Sequence, residues 1–143
     1  MAIKRRASAK WQGGLKDGRG AISTQSGVLK DQPYGFSRRF GDEPGTNPEE
    51  LVGAAHAGCF TMALSLILGE AGFTADEMTT DAVVTLEQVD NGFAVTAIAL
   101  TLKARIPGID DARFQELAEA AKANCPISKL LSTEISLDAT LLT

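Results

Sequence analysis

Residues 51–68 form a run of Ala, Leu, Met, Ile and Phe with almost no charge, and no other part of the chain constrains the fold as strongly. Read as a helix, the run is apolar all round, so it must be covered on every side and serve as a core helix. Its start is well marked: Thr46-Asn47 offers an N-cap, Pro48 suits the first helical position, and Glu49 and Glu50 favour the positive end of the macrodipole. Glu50, three residues after Asn47, can also close a capping box. Glu70 and Gly72 bring the helix to an end, with Gly72 as the C-cap.

Something flat and apolar must lie against that helix, and residues 79–89 and 93–106 supply it. Both stretches are rich in Val, Thr, Ile and Leu and are joined by Asp90-Asn91-Gly92, a hairpin signal because Asn-Gly accepts positive φ. In the second arm Ile98, Leu100, Leu102, Ala104 and Ile106 fall on one face at period two. Pro107-Gly108 breaks the strand, and Asp110 or Asp111 can cap a second helix running to about residue 123. Pro126 reopens a short helix toward Leu131, and residues 135–141 read as a last strand. The first forty residues, punctuated by Gly13-Gly14 and Asp17-Gly18, read as a small meander of strands. The expected architecture is α+β, with strands before, between and after the helices.

At 143 residues and 44% hydrophobic content, the chain suits one domain, 1–143, with one core that buries roughly two-thirds of the unfolded surface. The formal charge of −4 and pI near 5.0 argue against nucleic acid, because no basic face balances the excess of carboxylates except the short Lys4-Arg5-Arg6 cluster. No stretch approaches the eighteen or so uninterrupted apolar residues of a membrane span, and no signal-peptide hydrophobic segment follows Lys4-Arg5-Arg6. The expected compartment is therefore the cytoplasm, where a disulfide would be transient, and catalytic or sensory rather than structural.

The chain has two cysteines, Cys59 in the apolar helix and Cys125 in an Asn-Cys-Pro-Ile turn, with neither zinc-knuckle nor Cys-x-x-Cys spacing. They suggest a redox pair. Cys125 precedes Pro126, so it stands at a helix N-terminus that lowers a thiol's pKa; the alternative is a buried boundary cysteine. Cys59 sits mid-helix, where it is either a small packed hydrophobe or a thiol that needs a cation. The Gly and Ala residues around it, Gly53, Ala54, Ala55, Ala57 and Gly58, imply that something bulky comes close.

Arg38 and Arg39 are the candidate cations. One guanidinium at ~4 Å contributes ~4 kcal/mol at an effective dielectric near 20, and lowering the thiol pKa by two units requires only ~2.7 kcal/mol. An arginine fork can also hold the oxygens of a peroxide while staying charged. Glu49 or Glu50 could orient that arginine, but Glu49 lies ~15 Å below Cys59 along a straight helix. An intervening loop, a bend near Gly53 or a second chain would have to close that gap. His56, the only histidine, lies three residues before Cys59. It invites a Cys-His hydrolase or a metal site, yet side chains on successive turns point out in parallel and no second His exists, so it reads as a core histidine.

Five segments carry a family resemblance. They are Ser23-Thr24-Gln25-Ser26-Gly27-Val28-Leu29, Gln32-Pro33-Tyr34-Gly35-Phe36, Gly45-Thr46-Asn47-Pro48-Glu49-Glu50-Leu51, Ala54-Ala55-His56-Ala57-Gly58-Cys59-Phe60 and Asn124-Cys125-Pro126. Together they resemble the OsmC/Ohr group of osmotically inducible and organic-hydroperoxide-resistance proteins, and its OsmC branch in particular. The resemblance implies antiparallel sheets packed on a central buried helix, an intertwined homodimer with sites at the subunit boundary, and a cysteine-based peroxidase. That peroxidase would reduce organic hydroperoxides, and hydrogen peroxide less well, without metal, flavin or haem.

By the same resemblance, Cys59 takes the peroxidatic position, passing through a sulfenic acid, and Cys125 the resolving position that forms a disulfide with it. The assisting arginine and glutamate fall on Arg39 and Glu49, with Arg38 and Arg19 as competitors for the first role. A dithiol, such as a dihydrolipoyl protein, would be the reductant. Phe36, Phe40, Phe60 and Met62 are expected to form an apolar lining or to belong to the core. The rival reading from another class is a thiol redox sensor or ligand-binding protein that reacts once without turnover.

Overall fold

Trp11, Gly20 and Tyr34 stand abreast on three neighbouring strands and show how the first part of the chain is built. In the computed structural model, which describes all 143 residues, Met1–Leu51 and Val52–Thr143 form two units. The first holds β1 (Ala7–Gln12), β2 (Arg19–Thr24) and β3 (Gln32–Tyr34) in an antiparallel sheet of order β1-β2-β3, the meander expected from its Gly-rich turns. Because Gly20 has no side chain, the Trp11 and Tyr34 rings close over it with centroids 5.5 Å apart. A Cβ at Gly20 would stand 2.4 Å from Tyr34 Cε1 and 2.6 Å from Trp11 Cε3.

A one-turn helix, α1 (Phe36–Phe40), follows β3. The arginine pair Arg38-Arg39 therefore lies on a helix and not on a strand. Five residues are too few to display a helical period, and the turn is held instead by Phe36 and Phe40, whose rings meet at i, i+4 with centroids 5.1 Å apart. Next comes α2 (Pro48–Glu70), an unbroken 23-residue helix whose first turn lies in the first unit. Asn47 Oδ1 accepts the Glu50 N–H at 2.8 Å. The Glu50 carboxylate accepts from the Asn47 side-chain amide, so the capping box closes on a side chain instead of the backbone.

The end of α2 is a Schellman motif. Phe73 N–H donates to Leu68 O at 2.8 Å and Gly72 N–H to Gly69 O at 3.1 Å, with Gly72 at φ +89°. By length and composition this helix is apolar enough to cross a membrane, contrary to the sequence expectation, because its few polar residues lower the mean hydropathy too little. Here it is the core helix of the second unit. Gly53, His56, Phe60, Leu64 and Leu68 are buried at helical spacing.

The hairpin consists of β4 (Glu77–Val89) and β5 (Gly92–Arg105). Its two-residue turn is Asp90-Asn91, and positive φ is confined to Gly92 (+135°), so the turn sits one residue earlier than an Asn-Gly turn would. Then α3 (Asp111–Asn124), capped by Asp110 Oδ1 accepting from Arg113 N–H at 2.8 Å, and α4 (Pro126–Leu130) cross back to β6 (Glu134–Leu142). That crossover delivers β6 parallel to β5, with Ile98 opposite Ile135 and Leu100 opposite Leu137. The second sheet, order β4-β5-β6, is thus mixed where an antiparallel one was expected.

The inward face of β5 behaves as its period-two pattern requires, with Ile98, Leu100, Leu102 and Ala104 at most 1% exposed. These side chains pack in one cluster with Phe60, Leu64 and Leu68 of α2 and Phe114, Leu117, Ala118 and Ala121 of α3. One expectation fails within the single chain. The opposite face of α2 is open, with Met62 76% and Leu66 64% exposed, so the helix is covered on one side only.

Candidate functional site

The second unit brings the two cysteines together. Cys59 projects from the middle of α2, half-buried, and Cys125 occupies the junction where α3 ends and α4 begins, fully buried. That junction is sharp because Pro126 cannot continue α3 but can open α4. Cys125 N–H still donates to Ala121 O at 2.9 Å, while Cys125 O accepts from Lys129 N–H at 3.1 Å. The two Sγ atoms are 2.9 Å apart. Both thiols are free, since a covalent S–S bond would be about 2.05 Å.

The two sulfurs are not electrostatically equivalent. Burial pushes the Cys59 thiol up, its hydrogen bond to Cys125 and that sulfur's charge push it further, and only the Ile127 backbone N–H works the other way. Burial also disfavours the Cys125 thiolate. Hydrogen bonds from Cys59, the backbone and hydroxyl of Ser128 and the Ile127 backbone N–H outweigh it, leaving Cys125 below the ordinary thiol range. The shift has the direction expected of a helix N-terminus, but its largest favourable cause is the Cys59 hydrogen bond. Mid-helix Cys59 receives no comparable help within the second unit and still requires a cation to become the thiolate.

The first unit holds the other predicted pair. Arg39 grips Glu49 with a fork: Nε donates to both carboxylate oxygens at 3.2 and 3.3 Å, and a terminal nitrogen donates to Oε1 at 2.8 Å. The Glu49 side chain is only 14% exposed. Arg39 also lies over the Phe40 ring, 5.4 Å from its centroid. The competing arginines are placed differently. Arg38 donates from Nε to Pro44 O at 3.2 Å and pairs with Glu43 at 3.3 Å, while Arg19 opens β2, exposed, opposite Gln12. Arg39 is thus the arginine held by Glu49, and Arg39–Glu49 and Cys59–Cys125 lie in different units.

Of the residues expected to line an apolar pocket, Phe36 and Phe40 do so. With Trp11, Leu15, Tyr34 and Arg39 they enclose about 250 Å³ in the first unit. Phe60 does not; it is wholly buried in the core, because it lies on the α2 face that meets β5. Met62 lies on the exposed α2 face, beside a groove shared with Gly58, Thr61 and Thr80.

His56 is fully buried, and Nε2 lies 2.8 Å from Ser128 Oγ. Burial pushes its pKa below the ordinary imidazole range. Its other ring nitrogen, Nδ1, has no hydrogen-bond partner. The core-histidine reading therefore holds for one nitrogen of the two. Ser128 went unnoticed in the sequence, where its only signal is that it follows Cys125 by three residues, as Cys59 follows His56. No three His, Cys, Asp or Glu side chains converge as a metal-ligand set.

Comparison with known proteins identifies relatives of this chain. The OsmC-like protein family model matches residues 41–140. The chain is 56% identical to peroxiredoxin OsmC of Escherichia coli strain K12 over 138 residues, 96% of each chain. It is 34% identical over 98 residues, 68% of this chain and 66% of the other, to an organic hydroperoxide resistance protein of Xanthomonas axonopodis pv. citri. Among solved structures, the organic hydroperoxide resistance protein OhrB of Bacillus subtilis superposes with a TM-score of 0.69 at 28% identity, covering 96% of this chain and 98% of that one.

Proposed function

The chain belongs to the OsmC-like protein family, and from that premise we propose that it is a cysteine-based peroxidase that reduces organic hydroperoxides, and hydrogen peroxide less well, working as one domain, 1–143. The observation that carries this reading is the 2.9 Å approach of Cys59 and Cys125, two free thiols from distant parts of the sequence. The Cys59 thiolate attacks the terminal oxygen of the hydroperoxide. The O–O bond breaks, the alkoxide leaves and takes up a proton as the alcohol, and Cys59 becomes a sulfenic acid. The Cys125 thiolate then attacks that sulfur, the S–O bond breaks, and hydroxide leaves to become water. A dithiol such as a dihydrolipoyl group reduces the resulting disulfide and is itself oxidised to a disulfide.

Arg39 is the activating cation and Glu49 orients it. A bidentate carboxylate fixes the plane of the guanidinium and leaves its remaining N–H groups free for a sulfur or a peroxide oxygen. We place the pair that serves each Cys59 on the partner subunit of a homodimer, because Glu49 and Cys59 lie about 15 Å apart along one helix. The open α2 face supports that assembly. Ala55, Gly58, Met62, Ser65 and Leu66 form an exposed, largely apolar stripe at helical spacing. The aromatic pocket beside Arg39 takes the organic part of the substrate. At about 250 Å³ it is smaller than a typical drug-sized cleft, which favours compact apolar hydroperoxides. The reaction runs in the cytoplasm, where the disulfide is readily re-reduced.

The test is mass measurement of the reduced chain after one equivalent of cumene hydroperoxide, followed by turnover with dihydrolipoamide. The peroxidase reading requires an internal disulfide in the first measurement and sustained peroxide consumption in the second. A chain that reacts once and stops is a redox switch instead.

A further inference from the structure

We propose that Ser128 and His56 form a donor relay that holds Cys125 as the thiolate for disulfide closure, Ser128 donating from its hydroxyl to the Cys125 sulfur and His56 acting as a positioning residue that donates from Nε2 to Ser128 Oγ. This rests on the peroxidase reading above, in which Cys125 resolves the Cys59 sulfenic acid.

The geometry places the two contacts as successive rungs. Cys59 faces Cys125 at 2.9 Å, and one helical turn away on each side His56 faces Ser128 at 2.8 Å. The numbering runs in opposite directions along the two segments, so both rungs connect the same pair of elements. His56 Nε2 has a partner and Nδ1, equally buried, has none. A buried N–H without an acceptor is rarer and costlier than a buried acceptor without a donor, so the proton belongs on Nε2 and points at Ser128 Oγ. The Ser128 hydroxyl hydrogen is then free for another acceptor. That acceptor is the Cys125 sulfur, three residues back, which also receives the Ile127 and Ser128 backbone N–H groups. With the Ser128 hydroxyl and two backbone N–H groups directed at this sulfur, its thiolate is favoured despite full burial.

Among titratable groups, Cys59 of α2 stands against Cys125 at 2.9 Å, and His56, also on α2, reaches it only through Ser128. Peroxide attack needs the negative charge on Cys59, where the arginine draws it. Once Cys59 is a sulfenic acid, the charge is needed on Cys125, and the relay supplies a standing preference for it there. In closure the Cys125 thiolate forms the S–S bond, the S–O electron pair leaves with hydroxide, and hydroxide takes up the proton that Cys125 released. Cys125 is also the better leaving group when a dithiol attacks Cys59 in the disulfide, since a lower-pKa thiol departs faster.

The experiment mixes the reduced full-length protein with one equivalent of cumene hydroperoxide, quenches at intervals, and separates sulfenic acid from disulfide by mass across a range of pH. Ser128→Ala removes the hydroxyl and Ser128→Thr keeps it. His56→Leu removes the donor and His56→Gln keeps an amide N–H near the position of Nε2. In Ser128→Ala and His56→Leu, closure should slow about tenfold near neutral pH, its inflection should move up by about one unit, and sulfenic acid should accumulate. At pH above both inflections the rates should converge with wild type, and Ser128→Thr and His56→Gln should stay close to wild type throughout. Unchanged closure in Ser128→Ala, or equal slowing at every pH in all four variants, would overturn the relay. Should Ser128→Ala fail to fold, the ultraviolet thiolate titration of Cys125 in Cys59→Ser, with and without His56→Leu, decides the same question, and an unmoved titration refutes the relay. If wild type forms neither sulfenic acid nor disulfide, it is the peroxidase reading that fails.

Discussion

Arg39 closes a two-pronged grip on Glu49, with Nε and a terminal nitrogen both donating to the carboxylate. The grip joins the last turn of α1 to the first turn of α2. Two oxygens meeting two nitrogens fix the plane of the guanidinium as well as its position, which a lysine could not do. Arg38, one residue earlier, makes unrelated contacts with Pro44 and Glu43.

Arg39→Ala should raise the Cys59 thiol pKa and slow peroxide attack by about tenfold to a hundredfold near neutral pH, one pKa unit being a factor of ten in thiolate. Glu49→Gln should give a smaller loss in the same direction, because it loosens the arginine without removing its charge. Single-turnover peroxide consumption measures both. If Arg38→Ala or Arg19→Ala produced the loss instead, Arg39 would be the wrong arginine.

Cys59→Ser should abolish peroxide turnover, whereas Cys125→Ser should leave one stable sulfenic acid per chain that a sulfenic-acid-specific probe captures and mass spectrometry counts. Peroxide consumption persisting in Cys59→Ser would exchange the roles of the two thiols or remove both.

Leu66→Glu places a charge on the exposed α2 face opposite the core. Burying an unpaired carboxylate in a subunit contact costs several kcal/mol, so the variant should sediment as a monomer. Since the activating arginine is assigned to the partner, monomers should also lose most peroxidase activity. A fully active monomer would place the arginine on the same chain as its cysteine.

His56 has a folded-state pKa below the ordinary value of 6.5 because burial disfavours its charged form. Below pH 6.5 the unfolded chain therefore takes up a proton that the folded chain resists, and unfolding becomes easier as pH falls through that window. Above it His56 is neutral in both states and adds no slope. Urea midpoints for wild type and His56→Gln should run parallel above pH 6.5 and separate below it, with only wild type losing this extra increment. Parallel lines at all pH would mean that His56 can ionise in place.

Phe60→Ala should cost about 3–5 kcal/mol in urea unfolding, since Phe60 is wholly buried among α2, β5 and α3. Reduced protein that stays folded should still close its disulfide, because Phe60 is not among the groups that hydrogen-bond Cys125. A loss below about 1 kcal/mol would mean that this core is not the one described.

Much of the framework was legible because its signals are local. Asn47 and Asp110 cap their helices through hydrogen bonds to residues three ahead. Gly72 stops α2 because its own φ must be positive, and the β5 face follows from a period of two. The misreadings share a different property. A five-residue helix held by Phe36 on Phe40 has no period to read, and the direction of β6 depends on a crossover through α3 and α4. Whether Met62 is covered depends on what lies opposite it.

Sequence alone determined every helix but α1, the hairpin, the family, and the residue types that a thiol peroxidase needs, because caps, periods and motifs act over a few residues and leave their marks in order. Tertiary structure alone decided which of those residues meet. Cys59 and Cys125 are brought to 2.9 Å across 66 positions, Glu49 is paired with Arg39 and not with Arg38, and His56 acquires Ser128 as its partner across 72 positions. Such contacts are paid for by burial of the whole core, not by local preference, so no short stretch of the chain could announce them.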